Sequence, residues 1–269
     1  MTRIALVVSD VDGTLLTKDK MLTDKAARAV RQLEDSGVGF TVVSSRPTLG
    51  MKFLVEPLRL TLPFGSFNGS SITDPQLIPV EQHVLPAAAT QRSLDILKQF
   101  GIDAWLFTND TWFADNPDGE YNPWEKRAIK ADPVIARDFT PYLASTCKIV
   151  GSSSDPALLK RCEAAMQQTV GAQATVACSQ TYYLDVTPPG HDKGTFIEAM
   201  MKRLGIAADA VATIGDMQND LAMFKKSGMS IAMGNASDEI KRQATNVTTS
   251  NQDEGFAGAI ELVMKRNGA

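Results

Sequence analysis

Four short polar clusters stand where apolar runs end or helices begin, and their residue types suit chemistry on an anion. The first is Ser9-Asp10-Val11-Asp12-Gly13-Thr14. Strand side chains alternate with a period of two, so Asp10 and Asp12 leave the strand end on one side. Two adjacent carboxylates repel and need a cation, a shared proton or both. A calcium loop is excluded, because that pattern wants Gly at position six and Glu at position twelve. Here Gly13 falls at position four and Met21 at position twelve. A polar turn after a strand is the plainer alternative.

The second cluster, Ser44-Ser45-Arg46-Pro47, puts a hydroxyl and free backbone N–H groups at a strand-to-helix junction. Such a junction is an anion site or a simple helix cap. The third, Gly190-His191-Asp192-Lys193-Gly194, carries one lysine that by itself reads as a solvated charge, and a histidine that reads as a loop residue. The fourth is Gly215-Asp216-Met217-Gln218-Asn219-Asp220. Asp216 and Asp220 are four apart, near one helical face, with Asn219 between them. Carboxylate oxygens of this kind suit magnesium, and helix capping is again the alternative.

The elements that must position these clusters follow a strand–helix rhythm. A buried strand is predicted over 4–8, a helix over 23–36 with Thr23 as its cap, a strand over 40–43 and a helix from Pro47 towards Glu56. A further strand ends near Phe67 before the turn Asn68-Gly69. The rhythm resumes with a helix over 193–204, a strand over 210–214, a helix over 218–226, strands over 230–233 and 245–248, and a helix over 253–266. Repeated units of this kind predict an α/β, doubly wound parallel sheet, Rossmann-like in plan. Ligands bind such sheets at the carboxyl ends of the strands, where the clusters fall.

The middle of the chain breaks the rhythm. Helices over 86–100 and 155–169 are interleaved with strand-like runs over 104–108, 148–150, 175–177 and 182–186, and Pro79, Pro86 and Pro188-Pro189-Gly190 flank the section. The expected organisation is a first core segment at 1–83, an inserted α+β domain at 84–187 and a second core segment at 188–269. All three tryptophans and all four tyrosines lie between 105 and 183. Most of Trp105, Trp112, Tyr121, Trp124, Tyr182 and Tyr183 are expected to pack the insertion, with one or two free to wall a sugar or a flat ring.

Composition narrows the function classes. The chain has 269 residues, 27 Lys plus Arg against 31 Asp plus Glu, and 43% hydrophobic residues. Its net charge of −4 argues against a nucleic-acid-binding surface. No apolar stretch approaches membrane-spanning length, and the first apolar run is too short for a secretory signal, so a cytoplasmic location is expected. Cys147, Cys162 and Cys178 are spaced as reduced thiols, and two histidines make no metal cluster. Any metal chemistry must rest on oxygen ligands. Setting aside Asp10, Asp12, Asp216 and Asp220 leaves 27 acidic against 27 basic residues, so attraction of an anionic substrate must be local.

Asp10-Val11-Asp12-Gly13-Thr14, Ser44, Lys193 and Gly215-Asp216-Met217-Gln218-Asn219-Asp220 resemble, in order, the four motifs of the haloacid dehalogenase superfamily. Asn68-Gly69, Thr187-Pro188, Ala232-Met233-Gly234-Asn235-Ala236 and Asp253-Glu254-Gly255 are similar to its Cof-type branch, which carries a large α/β cap between the second and third motifs. One departure is Ser44-Ser45-Arg46, where relatives commonly have Thr-Gly-Arg. The resemblance implies Asp10 as nucleophile and Asp12 as general acid and base. It implies Mg2+ held by Asp10, the Asp12 carbonyl and Asp216, with Asp220 in support, and substrate phosphate held by Ser44, Lys193 and Asn219. A phosphatase acting on a small phosphorylated metabolite, a sugar phosphate foremost, is the implied activity, in a monomer or homodimer. Phosphohexomutase-type transfer uses a similar site. A non-catalytic phosphate sensor would have little need for both Asp10 and Asp12.

Overall fold

A computed structural model of the chain describes residues 2–268. The chain divides into two compact units, one of residues 1–45, 52–80 and 191–269, the other of residues 46–51 and 81–190. The inserted unit is thus wider at both ends than 84–187, and it takes in a segment from early in the chain. Arg46 is buried and donates to the Ala128 carbonyl, and the Thr48 hydroxyl donates to Asn109 Oδ1 at 2.8 Å. These long-range polar contacts, invisible in local sequence, draw 46–51 out of the first unit.

In the first unit, five parallel strands run in the order Asn246–Val247, Met229–Ala232, Val211–Gly215, Leu6–Ser9, Gly39–Val42. Leu6–Ser9 lies inside the sheet, between Val211–Gly215 and Gly39–Val42, and all four of its residues are buried. That explains its unbroken apolar run: both faces are covered, so alternation would leave a polar group in the core. On one face Leu6, Val8, Phe196, Ile197, Met200 and Leu221 form a common core. Elsewhere in the unit the Phe40 ring meets Phe256 edge-on at 5.9 Å.

Helix limits follow local chemistry. Asp24–Asp35 begins where the Thr23 side chain accepts from the Ala26 N–H. Lys193–Leu204 begins where Asp192 accepts from the N–H groups of Gly194 and Thr195, and it ends at left-handed Gly205. The single helix expected over 218–226 is instead a 3-10 turn, Gln218–Asp220, followed by the short helix Leu221–Phe224. The cause is Asp220, whose Oδ2 accepts from the Asp216 and Met217 N–H groups at 2.8 Å each and tightens the turn. The expected helix from Pro47 is likewise split, into Thr48–Gly50 and Lys52–Leu58.

The second unit is α+β. Its six strands run in the order Thr175–Gln180, Tyr183–Thr187, Lys148–Ser152, Asp103–Phe107, Trp112–Ala114, Val134–Ile135, antiparallel except for the last pair. Ala104, Leu106, Ile149, Leu184 and Val186 share a core with the helices Ala87–Phe100 and Pro156–Val170. Period-two alternation sends Trp105, Phe107 and Tyr183 to the opposite face. Trp105 and Trp112 are buried, and the Trp105 indole donates to Asn122 Oδ1 at 2.9 Å. Tyr121 stacks on Tyr182, while Trp124 is 63% exposed. The three cysteines are free thiols. No helix among the described residues is long and apolar enough to cross a membrane.

Candidate active site

All seven site residues named from the sequence lie in the first unit. Strand register explains why. Ser9 pairs with Val42 on one side and Ile214 on the other, and Gly215 pairs with Ala232. Parallel strands ending near one level release the chain along one edge, so Asp10 emerges there, with Ser44 and Asp216 each one position beyond the residue level with it. The Asp10 N–H bonds the Ile214 carbonyl at 2.9 Å, which keeps Asp10 on the ladder.

Lys193 closes the group from across the chain. Its Nζ donates to Asp10 Oδ1 at 2.5 Å and to Asp220 Oδ1 at 2.6 Å, and its side chain is 2% exposed. The surface-charge reading is therefore corrected: the helix that Asp192 caps starts at Lys193 and turns its first side chain inwards. One carboxylate oxygen from each of Asp10, Asp216 and Asp220 lies within 4.8 Å of the others. Three buried carboxylates thus face one ammonium.

Electrostatics register the deficit. Burial raises the Asp10 carboxyl well above the carboxylate range, Lys193 opposes this, and Asp220 and Asp216 add to it. Burial and then Asp220 push Asp216 up to about 6, against a hydrogen bond from Thr14. Burial alone would lower the Lys193 ammonium, but attraction to Asp10 and Asp220 outweighs it and holds it above an ordinary lysine. A buried set of this kind, short of positive charge and made of hard oxygen ligands, fits a divalent cation such as Mg2+.

The remaining residues surround this cluster. Asp12 turns its Oδ1 to the Lys20 ammonium at 2.7 Å, and both side chains are partly exposed. Ser44 is buried; its N–H bonds the Gly65 carbonyl and its carbonyl accepts from Asn68. The exposed Asn219 amide donates to Asn68 Oδ1 at 3.1 Å. Gly13 has φ +83, and a Cβ there would sit 2.3 Å from Asp216 Oδ2. Glycine lets the backbone turn and leaves room for that carboxylate.

Sequence reasoning named no role for Lys20, Thr14 or Asn235. The Thr14 hydroxyl donates to Asp216 Oδ1 at 3.0 Å, and Asn235 Nδ2 donates to Asp216 Oδ2 at 3.2 Å and to the Gly13 carbonyl at 2.9 Å. Asn235 in turn accepts from the Asn251 N–H at 3.0 Å. Thr14 and Asn235 stood within the motifs that carry the resemblance, without a role of their own, whereas Lys20 lies in a polar run of the kind any turn can show.

A Rossmann-like parallel sheet with clustered carboxylates and a buried lysine at its carboxyl edge defines a class of hydrolase, and the family comparison agrees. The model of the haloacid dehalogenase-like hydrolases matches residues 7–260, and the chain belongs to that family. Within it, the protein is a phosphatase. The chain is 27% identical over 260 residues to the 5-amino-6-(5-phospho-D-ribitylamino)uracil phosphatase YcsE of Bacillus subtilis, covering 96% of this chain and 94% of that protein. It is 28% identical over 238 residues to an HMP-PP phosphatase of Yersinia pestis, covering 88% and 86%. Among solved structures, a haloacid dehalogenase-like hydrolase from Bacteroides thetaiotaomicron superposes with a TM-score of 0.92 at 26% identity, covering 97% of this chain and all of that one.

Proposed function

We propose that the protein hydrolyses small phosphate monoesters, sugar phosphates foremost, with Mg2+ and through a phosphoryl group carried on Asp10. The observation that carries this reading is the buried cluster in which Asp10, Asp216 and Asp220 outnumber Lys193 at the sheet edge. Asp10, Asp216 and the Asp12 main-chain carbonyl would hold the metal, with Asp220 in support. When bound, Mg2+ offsets the repulsion between an anionic nucleophile and an anionic phosphate.

Asp10 attacks phosphorus, so that a carboxylate–phosphorus bond forms as the ester P–O bond breaks. Asp12 gives its proton to the leaving alkoxide. It then takes a proton from the water that attacks the aspartyl-phosphate, releasing inorganic phosphate and the free Asp10 carboxylate. Lys20 donates to Asp12 Oδ1 at 2.7 Å, and its ammonium favours the carboxylate form of Asp12, the base that the second step needs. Ser44, Lys193 and Asn219 hold the other phosphate oxygens, and fixed donors facing transition-state charge are worth several kcal/mol in such sites.

A sugar-like leaving group is supported by the Bacillus subtilis relative, whose name describes a phosphorylated ribityl chain on a uracil. We assign selection among esters to the inserted unit, acting as a cap, since it holds every tryptophan and tyrosine of the chain. The test is Asp10→Asn assayed for phosphate release over a panel of sugar and nucleotide phosphates with magnesium. Turnover is expected to vanish while the circular dichroism spectrum is kept. Hydrolysis at the wild-type rate overturns the assignment.

A further inference from the structure

Three consecutive residues, Phe67, Asn68 and Gly69, have φ of +51°, +58° and +93°. Two of them carry side chains, and a left-handed bulky residue is a true outlier that surrounding structure must enforce. The turn is pinned on three sides. The Asn68 N–H donates to the Ser44 carbonyl at 2.8 Å. Gly69 lies so close to the start of the Lys193–Leu204 helix that a Cβ there would meet Phe196 Cβ at 2.8 Å and the Asp192 carbonyl at 3.0 Å. Asn68 Oδ1 accepts from the Asn219 amide at 3.1 Å. One strained turn therefore touches the strand end carrying Ser44, the helix start carrying Lys193, and Asn219 itself.

We infer that Asn68 is a positioning residue for substrate phosphate, acting through Asn219. An asparagine amide has a donor side and an acceptor side of nearly equal size, and only a partner decides which faces where. Asn219 is exposed, so its neighbours impose little shape on it. Asn68 Oδ1 supplies the acceptor that fixes its NH2 end. One N–H is used on Asn68, and the second remains to donate to an anionic oxygen. Asparagine suits the position twice over, since it tolerates the left-handed region and carries the acceptor on a short stem.

This inference rests on the phosphate-binding role proposed for Asn219, so its test reads phosphate affinity as well as turnover. The informative variant is Asn68→Gly, which keeps the left-handed turn without strain and removes only the acceptor. It is compared with Asn219→Ala and the double variant, by calorimetric titration with inorganic phosphate at saturating magnesium and by kcat and KM. Asn68→Gly is expected to weaken phosphate binding and raise KM by about 10-fold, the scale of one charge-assisted hydrogen bond. The double variant is expected to match Asn219→Ala within about twofold, because coupled residues fail to add. Wild-type phosphate affinity in Asn68→Gly overturns the inference, as do losses that multiply in the double variant. If Asn219→Ala itself binds phosphate normally, the role proposed for Asn219 falls instead.

Discussion

Replacing Lys193 by Met tests the charge balance on which the site depends. Methionine keeps an unbranched chain of similar length, so little cavity is left and the change is mainly the loss of one buried positive charge. In the wild type the ammonium lies 2.5 Å from Asp10 Oδ1 and 2.6 Å from Asp220 Oδ1, with side-chain exposures of 2%, 7% and 0% for Lys193, Asp10 and Asp220. Breaking a buried pair costs about 3–5 kcal/mol, because the partner's charge stays behind unpaired. Two pairs are lost, yet the cost does not double. Asp10, already raised by burial, takes a proton, while Asp220 retains its two backbone N–H donors.

The pH dependence of that loss has a definite sign. Lys193 is held above the ordinary lysine value, so stability from its own titration is fully present below roughly pH 10 and is lost only as the pH rises through its folded value. Below that, the size of the loss follows the charge on its carboxylate partners. The penalty in the variant shrinks towards pH 5, which lies below the value of about 6 for Asp216 and in the direction that protonates the raised Asp10, so the cluster has less need of the ammonium. The assay is urea unfolding in chelator at pH 7.5 and pH 5. It should be followed by circular dichroism, since all three tryptophans lie in the inserted unit and fluorescence would report that unit alone. A loss of about 3 kcal/mol or more is expected at the higher pH and clearly less at the lower. Turnover with magnesium should fall by at least about 100-fold, as when an anion-stabilising donor is removed. Equal urea midpoints at pH 7.5, or kcat/KM within about tenfold of wild type, would refute the reasoning.

Two further predictions bear on the metal and on the turn that shapes its site. Asp216 sits at about 6 in the metal-free protein, so its contribution to stability is present below about pH 4 and lost as the pH rises through 6. Magnesium should therefore raise the melting temperature more at pH 7.5 than at pH 5, and a pH-independent rise would contradict the assignment. Gly13→Ala puts a Cβ 2.3 Å from Asp216 Oδ2 at φ +83, whereas Gly37→Ala has φ +81 and nothing within 4 Å. Both should lose about 1–2 kcal/mol from backbone strain. Only Gly13→Ala should also raise the magnesium concentration for half-maximal activity, by about 10-fold or more, and equal magnesium requirements in the two variants would show that the collision is harmless.

Much of the architecture was legible because its causes are local. The Thr23 side chain caps the helix it precedes, and the buried strand shows as the unbroken apolar run of residues 4–8. Illegible features were those set by distant partners. The break at Gln218–Asp220 comes from Asp220 folding back on two backbone N–H groups, and Arg46–Met51 joins the inserted unit through Asn109 and Ala128. Neither leaves a periodic trace, since one or two hydrogen bonds do not alter a hydrophobic pattern.

The sequence by itself determined which residues stand just past the strand ends. Parallel strands that finish at one level then carry Asp10, Ser44 and Asp216 to a common edge whatever the details of packing. What those residues are chemically was decided only by tertiary structure. Lys193 is 183 positions from Asp10, and nothing local announces that its ammonium will be buried against it. Burial lifts Asp10 and Asp216 out of the ordinary carboxylate range, because the folded core withholds the water that would otherwise stabilise their charge. An aspartate in an extended chain has no such history, and it is the fold that turns four ordinary clusters into a site short of positive charge.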